Sequence, residues 1–361
     1  MKICFVLPRN MSFSPATATS IDLCVHDLVN FSAYRDSTTV VGEPADNPFN
    51  DLDFLAVPRR TLGGQAGYAK DLAKALAPLS PDIVVVQQHS ETAANIAKRL
   101  PGTAVFLQRH GMSPDYRSLW YRLRYAPQYR RMARVICVSQ ALAENVKTNF
   151  PDIASKVAVV LNGIDTTLWL PAEKEKRIVF AGRAVVEKGV EELSEALAIL
   201  LARHPDWRAS LLLAAAPRDA ATVAKMKAVL APVLTKIHWR ENAPLDEVRV
   251  EFSKAAIALV PSIMREGFGR TAMEAHAAGA AVISSGRGAL REVSGDAALY
   301  LPEISADAIV TATETLIASP EEVSKFQMLS RQRASEALDI RACGKAFDSL
   351  CETVMAEQRK R

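Results

Sequence analysis

The chain has 361 residues, of which 49% are apolar and 23% are charged, which are the proportions of an ordinary globular protein. A single hydrophobic core rarely supports this length, so we expect two domains of roughly 160–180 residues each. The 44 basic and 40 acidic residues leave a net charge of only +4, which argues against nucleic acid as a partner.

The five cysteines argue against a disulfide framework or a zinc site. They are scattered, odd in number and never spaced C-x-x-C, so reduced thiols packed as small apolar groups are the better interpretation. The apolar run Lys2–Leu7 is too short for a signal peptide and is interrupted by Pro8-Arg9-Asn10. No stretch approaches the ~18 apolar residues of a membrane-spanning helix. We therefore expect a cytoplasmic protein.

Short apolar runs alternate with amphipathic stretches from the N-terminus onward. The runs predict strands at Lys2–Leu7, Thr38–Val41, Phe54–Val57, Ile83–Gln87, Ala104–Leu107, Val135–Val138 and Val157–Val160. The stretches between them predict helices that include Ser20–Asn30, Ala66–Ala77 and Gln140–Asn149. At Asn162–Lys176 the pattern gives way to Gly, Asp, Pro and charged residues, which predicts a linker.

The same alternation resumes after the linker. Strands are predicted at Arg177–Ala181, Ala209–Leu213, Ile237–Trp239, Ile257–Val260 and Val282–Ser285. Helices are predicted at Val190–Arg203, Ala220–Leu230, Leu245–Ser253 and Thr271–Ala278. The tail from Ser319 to Arg361 is predicted to be helical throughout.

This alternation is typical of parallel sheets covered by helices on both faces. We therefore predict an α/β protein with two doubly wound, Rossmann-like domains facing a central cleft, where ligands of such sheets bind. The predicted domains are residues 1–168 and 169–338, and a C-terminal helix over 339–361 is expected to pack back on the first domain.

The segment Pro261–Ala275 carries the strongest chemical signal. It follows a predicted buried strand, turns through Gly267 and Gly269, and enters a helix. Glycines let the backbone approach a ligand closely, and a helix N-terminus offers free N–H groups and a positive dipole end that suit a phosphate. Glu266 lies in the loop and Glu274 lies one turn inside the helix. Two carboxylates near an anionic ligand are unfavourable unless they face its hydroxyl groups, which a sugar and a ribose supply.

A second cluster joins the first strand of the C-terminal domain to its first helix. Within Phe180–Gly189, Arg183 and Lys188 are expected to project from the cleft end of the sheet. Two fixed cations can neutralise a diphosphate and stabilise it as it leaves, which is where charge develops in glycosyl transfer.

Jointly, these motifs resemble family 4 of the retaining glycosyltransferases, which have the GT-B fold. The resemblance rests on the seven residues that separate Glu266 from Glu274, on the surrounding Glu-Gly-Phe-Gly and on the Ala-x-x-x-Gly that ends at Gly279. Further matching motifs follow one another in the chain: Val138-Ser139, Val160–Asp165, Gly182-Arg183, Glu187-Lys188-Gly189 and Gly288–Val293.

Two loops depart from the pattern of the family. The loop after the first strand, Pro8–Thr17, contains no glycine, whereas the family usually has a pair there. The family's Gly-x-Gly-Pro is replaced by Ala214–Pro217, so contacts with the base are not carried over to this chain. Neither change removes a charged catalytic group.

The resemblance implies that the chain moves a sugar from a UDP- or GDP-linked donor to a glycan or lipid-linked acceptor, as in lipopolysaccharide or exopolysaccharide assembly. The first domain would bind the acceptor and the second the nucleotide sugar, with no metal or other cofactor. Retention is usually explained in such enzymes by attack on the face from which the leaving phosphate departs, so no carboxylate nucleophile of the kind found in hydrolases is required.

The resemblance also implies a role for each matching residue. Glu274 would hold the ribose hydroxyls, and Glu266, with Gly267 and Phe268, would contact the donor sugar. The implied diphosphate ligands are Arg183, Lys188, Gly269, Arg270 and Thr271. His110, which follows a strand of the first domain, matches the family's histidine that faces the donor sugar; together with Glu266 it is the catalytic candidate.

The stretch Arg117–Arg134 interleaves six arginines with four aromatic residues. A basic, aromatic helix can lie on an anionic membrane or receive an anionic acceptor. It can equally be a solvated helix with ordinary core contacts, and the sequence leaves both interpretations open.

Asp51-Leu52-Asp53 has the D-x-D form that binds the donor's metal in another glycosyltransferase fold. The rest of the pattern in this chain needs no metal, so we interpret these residues as acids of a turn.

Other functions share this architecture. A sugar-nucleotide epimerase would turn over without an acceptor alcohol, and a phosphorylase would use phosphate. A non-catalytic nucleotide-binding partner of a larger assembly is the alternative from another class. The presence of both glutamates with Arg183 and Lys188 argues against the non-catalytic alternative, and an activity assay discriminates among all three.

Overall fold

The computed structural model describes residues 1–59, 64–113 and 119–360. The chain forms two compact units. Unit 1 consists of Met1–Gly163 together with the C-terminal segment that starts at Ile340, and unit 2 consists of Ile164–Asp339. Each unit is built around its own parallel sheet with helices on both faces, which confirms the predicted α/β class.

The sheet of unit 1 has seven parallel strands in the described residues, in the order β3-β2-β1-β4-β5-β6-β7. They are β1 (Ile3–Val6), β2 (Thr38–Gly42), β3 (Asp53–Ala56), β4 (Ile83–Gln87), β5 (Ala104–Arg109), β6 (Arg134–Cys137) and β7 (Val157–Val159). Strand β1 pairs with β2 on one side and with β4 on the other. The sheet therefore reverses its winding between β1 and β4, which opens a crevice at the carboxyl ends of these strands.

Among the described residues before the linker, five helices accompany this sheet. They are α1 (Ser20–Asn30), α2 (Gly64–Leu76), α3 (Ser90–Arg99), α4 (Leu119–Arg130) and α5 (Gln140–Asn149). The sequence predicted the others but gave no signal for α3. The buried positions of α3 are mostly small or polar, namely Ser90, Thr92, Ala93 and Ala94, so the segment is polar on average and has few of the large apolar residues that mark a core helix.

Unit 2 repeats the same topology with a sheet in the order β10-β9-β8-β11-β12-β13. Its strands are β8 (Glu175–Arg183), β9 (Arg208–Ala214), β10 (Ile237–Glu241), β11 (Ala255–Val260), β12 (Ala281–Ser284) and β13 (Ala298–Tyr300). Strand β13 was not predicted, because three residues at a sheet edge carry too little pattern. The predicted linker also ends early, since β8 already begins at Glu175.

The helices of unit 2 cover both faces of this sheet. They are α6 (Val190–Arg203), α7 (Ala220–Leu230), α8 (Leu245–Lys254), α9 (Arg270–Ala277), α10 (Leu290–Ser294), α11 (Ala306–Ile317) and α12 (Pro320–Ala337). The predicted helices agree with these bounds to within two residues.

The prediction of one continuous helical tail was wrong. Helix α12 ends before Leu338, and a second helix, α13 (Ile340–Arg359), follows. The break is held by backbone pairing, because the carbonyl of Leu338 accepts from Ile164 N at 2.8 Å and Asp339 bridges Ile164. A non-helical residue is thus required at this point, and helical periodicity on either side does not reveal it.

Helix α13 packs within unit 1. Its Asp348 carboxylate accepts from Ser32 Oγ at 2.5 Å and from Ala33 N at 2.8 Å. Phe347 lies against Phe5 of β1 with ring centroids 5.4 Å apart. The last helix therefore completes the core beside the first strand.

None of the helices in the described ranges combines the length and the hydropathy needed to cross a bilayer.

His276 is a fully buried polar residue that links α9, α10 and α12. Its Nδ1 and Nε2 atoms each lie 2.9 Å from a serine hydroxyl, of Ser330 and Ser294 respectively. Because Ser330 donates to the Ala280 carbonyl, its oxygen accepts from Nδ1–H, and Ser294 donates to Nε2. Burial, aided by the Arg333 charge, lowers the pKa of His276 to about 3. The imidazole is therefore neutral at physiological pH.

This burial predicts a pH-dependent stability. The pKa of His276 is about 3 in the folded chain against 6.5 for an ordinary histidine, so its contribution is complete above pH 6.5 and is lost as the pH falls towards 3. Between pH 6.5 and 3, protonation of His276 in the unfolded chain should lower the free energy of unfolding by about 1.4 kcal/mol per pH unit. We expect His276→Gln to be less stable than wild type at neutral pH but to lose stability less steeply, as measured by urea unfolding. Parallel slopes for the two proteins would contradict the assignment.

Candidate functional site

The candidate site lies at the winding reversal of the unit 2 sheet. Strand β8 pairs with β9 on one side and with β11 on the other, so the crevice opens at the carboxyl ends of β8 and β11. The loops that follow β8, β11 and β12 meet there. Together with α9, they contain the residues of this unit that were predicted to bind the donor.

The loop after β8 supports the loop after β11. The Glu187 carbonyl accepts from Ile263 N at 2.9 Å and from Met264 N at 3.1 Å. Gly189 has a φ of +72°, and a Cβ there would lie 2.2 Å from the Pro261 carbonyl oxygen. Only glycine allows the two loops to approach this closely, which is the physical reason for the Glu-Lys-Gly sequence at this turn.

Glu266 is held in place from two sides. Its Oε1 atom accepts from Lys188 Nζ at 2.5 Å and from Ser262 Oγ at 2.5 Å. Its carbonyl accepts from Ala289 N at 2.9 Å, and its backbone bridges Gly288. With only 8% of its surface exposed, this carboxylate is fixed by three loops.

Glu274 has its own cation. It lies four residues after Arg270 on α9, and the Arg270 Nε atom donates to Glu274 Oε1 at 2.8 Å. Both side chains are largely buried, so the pair is held in one geometry. The two glutamates of the motif are thus each matched to a basic partner.

The start of α9 is built for close approach. Gly269 precedes the helix with a φ of +107°, and a Cβ there would lie 2.4 Å from Leu290 Cδ2. Thr271 Oγ1 donates to the Ala181 carbonyl at 3.2 Å, which ties the helix to β8. Gly267 and Phe268 are buried in the preceding turn. The first turn of α9 therefore presents backbone N–H groups beside the crevice.

Arg183 and Lys188 differ in their surroundings. Lys188 is bound to Glu266, whereas Arg183, the last residue of β8, is exposed, and its guanidinium makes no hydrogen bond or ion pair within the described residues. The expected pair of cations is present on this loop, but in the structure only Lys188 contacts a carboxylate of the motif.

His110 lies at the corresponding edge of the unit 1 sheet. Its Nε2 is 2.7 Å from Gln87 Oε1, and the Gln87 amide in turn donates to Gln108 Oε1 at 3.2 Å. This chain of hydrogen bonds places the proton on Nε2 and leaves Nδ1 as an acceptor. Burial and the charge of Arg109 lower the pKa of His110 to about 3, so the ring is neutral. The neutral ring can accept a hydrogen bond at Nδ1 but cannot act as an acid at neutral pH.

Some site residues carried no sequence signal. The Ser262 hydroxyl positions Glu266, but in the sequence this residue is only a serine two residues after a predicted strand, with nothing to mark its role. Ser285, which follows β12, has a buried hydroxyl with no partner within the described ranges. Both are recognisable only once the loops are placed side by side.

The D-x-D pair has a structural role at its first aspartate. Asp51 accepts from His26 Nε2 at 2.9 Å and from Asn30 Nδ2 at 2.9 Å, while Asp53 begins β3. Among the described residues, no group of three or more His, Cys, Asp or Glu side chains could hold a metal ion.

The basic stretch divides into buried and exposed parts. Tyr129 is 1% exposed and stacks on Phe150, whereas Trp120 and Leu123 are each 66% exposed. Arg134 pairs with Glu357 at 2.7 Å and therefore does not belong to the exposed face. Arg117, also part of the predicted stretch, lies outside the described residues.

Comparison with known proteins finds two family matches. The family described as Glycosyl transferases group 1 matches residues 169–333, and Glycosyltransferase Family 4 matches residues 35–168. An alpha-maltose-1-phosphate synthase from Mycolicibacterium smegmatis is 27% identical over 347 residues, which cover 82% of this chain and 85% of that protein. An MMP alpha-(1->4)-mannosyltransferase from Mycolicibacterium hassiacum is 30% identical over 227 residues, or 60% of this chain and 54% of that protein.

The fold is also shared with solved structures. The Anabaena protein Alr3699/HepE, crystallised in complex with UDP, superposes with a TM-score of 0.81 over 98% of this chain and 100% of that one, at 17% identity. This likeness establishes the GT-B fold. Because the two matched families together span residues 35–333, the chain belongs to glycosyltransferase family 4 and is a glycosyltransferase that uses nucleotide-sugar donors.

Proposed function

We propose that the protein transfers a sugar with retention of anomeric configuration from a UDP- or GDP-linked donor to a glycan or lipid-linked acceptor. The observation that carries this proposal is the fixed carboxylate of Glu266, which shares one crevice edge with Lys188 and the start of α9. A carboxylate bound to a lysine and a serine is arranged to accept hydrogen bonds from sugar hydroxyls. It is not arranged as a free nucleophile, which fits the same-face mechanism of the family.

The donor diphosphate is assigned to the cationic and backbone groups at this edge. Arg183 and Lys188 supply positive charge on the loop after β8. Gly269, Arg270 and Thr271 supply the N-terminal turn of α9, whose N–H groups and dipole favour an anion. These groups stabilise the negative charge that develops on the leaving phosphate.

The remaining donor contacts follow from the two glutamates. Glu266 with Gly267 and Phe268 lines the place of the donor sugar. Glu274, held by Arg270, accepts from the ribose hydroxyls. The complexes of Alr3699/HepE with UDP support a uridine base, and a guanosine base is the alternative.

His110 is proposed to act on the donor sugar as a neutral hydrogen-bond acceptor through Nδ1. Its proton is committed to Gln87, so it orients a sugar hydroxyl and does not supply a proton. Arg109 steadies this loop, because its guanidinium donates to the carbonyls of Gln88 at 3.0 Å and Gly111 at 3.2 Å.

The acceptor side is proposed to work next to an anionic membrane surface on the cytoplasmic side. On α4, the exposed Trp120, Leu123 and Arg124 fall on one helical face, and Arg124 lies 5.5 Å from the Trp120 ring centroid. Apolar side chains flanked by arginines suit the headgroup region of anionic lipids. A lipid-linked precursor of lipopolysaccharide or exopolysaccharide is the kind of acceptor found there.

The stereochemical proposal is tested on the reaction product. A thermal-shift panel of nucleotide sugars should identify the donor, and proton NMR of the transfer product gives its anomeric coupling constant. From an α-linked donor we expect an α-linked product. An inverted product would exclude the same-face mechanism, and turnover without any acceptor alcohol would instead indicate an epimerase.

Changing Glu274→Ala should weaken nucleotide binding. Loss of charge-assisted hydrogen bonds to the ribose predicts a dissociation constant for UDP or GDP that is about tenfold higher or more. Isothermal titration calorimetry measures it. Glu195→Ala, which removes an exposed glutamate of α6 in the same unit, should leave the constant unchanged. An equal constant for wild type and the Glu274 variant would sink the ribose assignment.

Membrane contact is tested by vesicle sedimentation. We expect the protein to bind vesicles that contain anionic phosphatidylglycerol and not vesicles of phosphatidylcholine alone. The double variant Trp120→Ser with Leu123→Ser should lose binding. Met328→Ser, which removes a similarly exposed apolar side chain from unit 2, should retain it. Binding that does not depend on lipid charge would contradict the proposal.

A further inference from the structure

Unit 1 has an unassigned cluster of polar residues at its own winding reversal. Arg9 follows β1, Glu43 directly follows β2 and His89 follows β4, and these three strands are neighbours in the sheet. Because the carboxyl ends of parallel strands meet at one edge, the three residues lie along the crevice between β1 and β4. Tyr68, on the second turn of α2, joins them, since both Glu43 and Arg9 act electrostatically on its hydroxyl.

Two atoms of this cluster are buried without a partner. The Tyr68 hydroxyl and Glu43 Oε1 have no hydrogen-bond partner within the described residues, and Tyr68 is only 2% exposed. The other carboxylate oxygen, Glu43 Oε2, accepts from Asn10 N at 3.3 Å. Buried polar atoms are nearly always satisfied in folded proteins, because leaving them unpaired costs stability. A buried, orphaned hydroxyl within electrostatic reach of an orphaned carboxylate oxygen indicates a place where a ligand completes the bonding.

The charges around these atoms are mixed. Burial raises the pKa of the Tyr68 hydroxyl, the Glu43 charge raises it further, and the Arg9 charge lowers it. Burial together with the charges of Arg9 and Arg109 lowers the pKa of His89, which is therefore neutral. Arg9 makes no hydrogen bond or ion pair in the part of the chain that is described. The cluster thus offers one unpaired cation, one carboxylate that needs a donor, and two neutral groups.

The backbone on both sides of the crevice is strained. Asn10 after β1 and Gln88 after β4 have φ values of +60° and +63°, although neither is glycine. Asn10 is held by Arg59, which donates to its side-chain oxygen at 2.9 Å. Such residues persist where the surrounding structure fixes them, commonly at binding sites. The loop after β1 contains no glycine, so its left-handed residue Asn10 is held in this conformation by side-chain contacts such as that with Arg59.

We propose that Arg9, Glu43, Tyr68 and His89 form the acceptor subsite, and that it takes a sugar bearing an anionic group. Sugar hydroxyls donate hydrogen bonds to Glu43 Oε1. An anion alone would leave this carboxylate oxygen unsatisfied, because it has no hydrogen to donate. The anionic group accepts from Arg9 and from the Tyr68 hydroxyl. This inference rests on the proposed glycosyl transfer, since it names the acceptor class of that reaction. Phosphorylated sugars and uronic acids share the required chemistry.

The test measures ligand preference on the full chain saturated with UDP. Glucose, glucose 1-phosphate, glucose 6-phosphate, glucuronate and a polyprenyl diphosphate glucose in micelles are titrated by saturation-transfer NMR. We expect at least one anionic sugar to bind about tenfold more tightly than glucose, because one charge-assisted hydrogen bond contributes about that gain in affinity. Preference among the phosphates, the uronate and the lipid-linked sugar identifies the source of the negative charge. No preference over glucose, or no binding of any probe, would overturn the proposal.

Variants separate a binding role from a structural one. Tyr68→Phe removes only the orphaned hydroxyl, so the melting temperature of the free protein should stay equal or rise, while anionic-sugar binding falls about tenfold. Arg9→Gln should act in the same direction on binding. Tyr34→Phe is the matched control, because the Tyr34 hydroxyl donates to Glu352 at 2.9 Å on α13 and has no place in the subsite. If Tyr68→Phe lowers the melting temperature and leaves anionic-sugar binding unchanged, the Tyr68 hydroxyl has a structural role and the proposed binding role is wrong.

Donor measurements keep this inference separate from the proposed function. If UDP binds and a nucleotide sugar is turned over in all these variants, while anionic-sugar binding is unaffected, only the acceptor subsite is wrong. If wild type neither binds nor turns over any nucleotide sugar, the proposed function itself fails.

Discussion

The ion pair between Lys188 and Glu266 is the interaction on which the rest of the site depends. Each charge is largely removed from water, which is unfavourable unless a partner compensates, and Ser262 provides the additional hydrogen bond. The pair joins the loops after β8 and β11, and Gly189 gives these loops the close approach that the pair requires. On the proposed assignment of Lys188 to the donor diphosphate, the diphosphate and Glu266 would share one ammonium group, so donor binding would be coupled to the contacts of this carboxylate.

The two units share one topological feature but line it with different residues. In both sheets the winding reverses next to the first strand, so loops from two neighbouring strand ends face each other. In unit 2 these loops carry glycines and a helix N-terminus, which suit phosphates. In unit 1 they carry Arg9, Glu43 and His89 on a loop set without glycine. The same topology thus gives a backbone-lined crevice in one unit and a side-chain-lined crevice in the other.

Sequence reasoning reached most of the fold, because buried β-branched runs mark strands and seven residues between two glutamates mark a strand–loop–helix unit. It missed what depends on distant contacts. The break at Leu338 is imposed by pairing with Ile164, and α3 buries mostly small side chains, so its segment contains few large apolar residues. The neutral state of His110 follows from its burial beside Arg109, and its tautomer is set by a hydrogen bond to Gln87, 23 residues away. The pairing of Glu266 with Lys188, 78 residues away, likewise depends on the folded loops, whereas the pairing of Glu274 with Arg270 follows from their spacing on one helix.

The position of α13 has a consequence for how the chain is made. Phe347, Cys351 and Val354 belong to the same buried cluster as Phe5 and Val29, so the core of unit 1 contains residues from both sides of unit 2. During synthesis, the first 160 or so residues therefore emerge with an open groove along β1, and this groove is filled only after the whole of unit 2 has left the ribosome. Unit 2 is formed by one continuous segment and can fold as soon as that segment is synthesised. Unit 1 can complete its core only after the C-terminal segment has been synthesised.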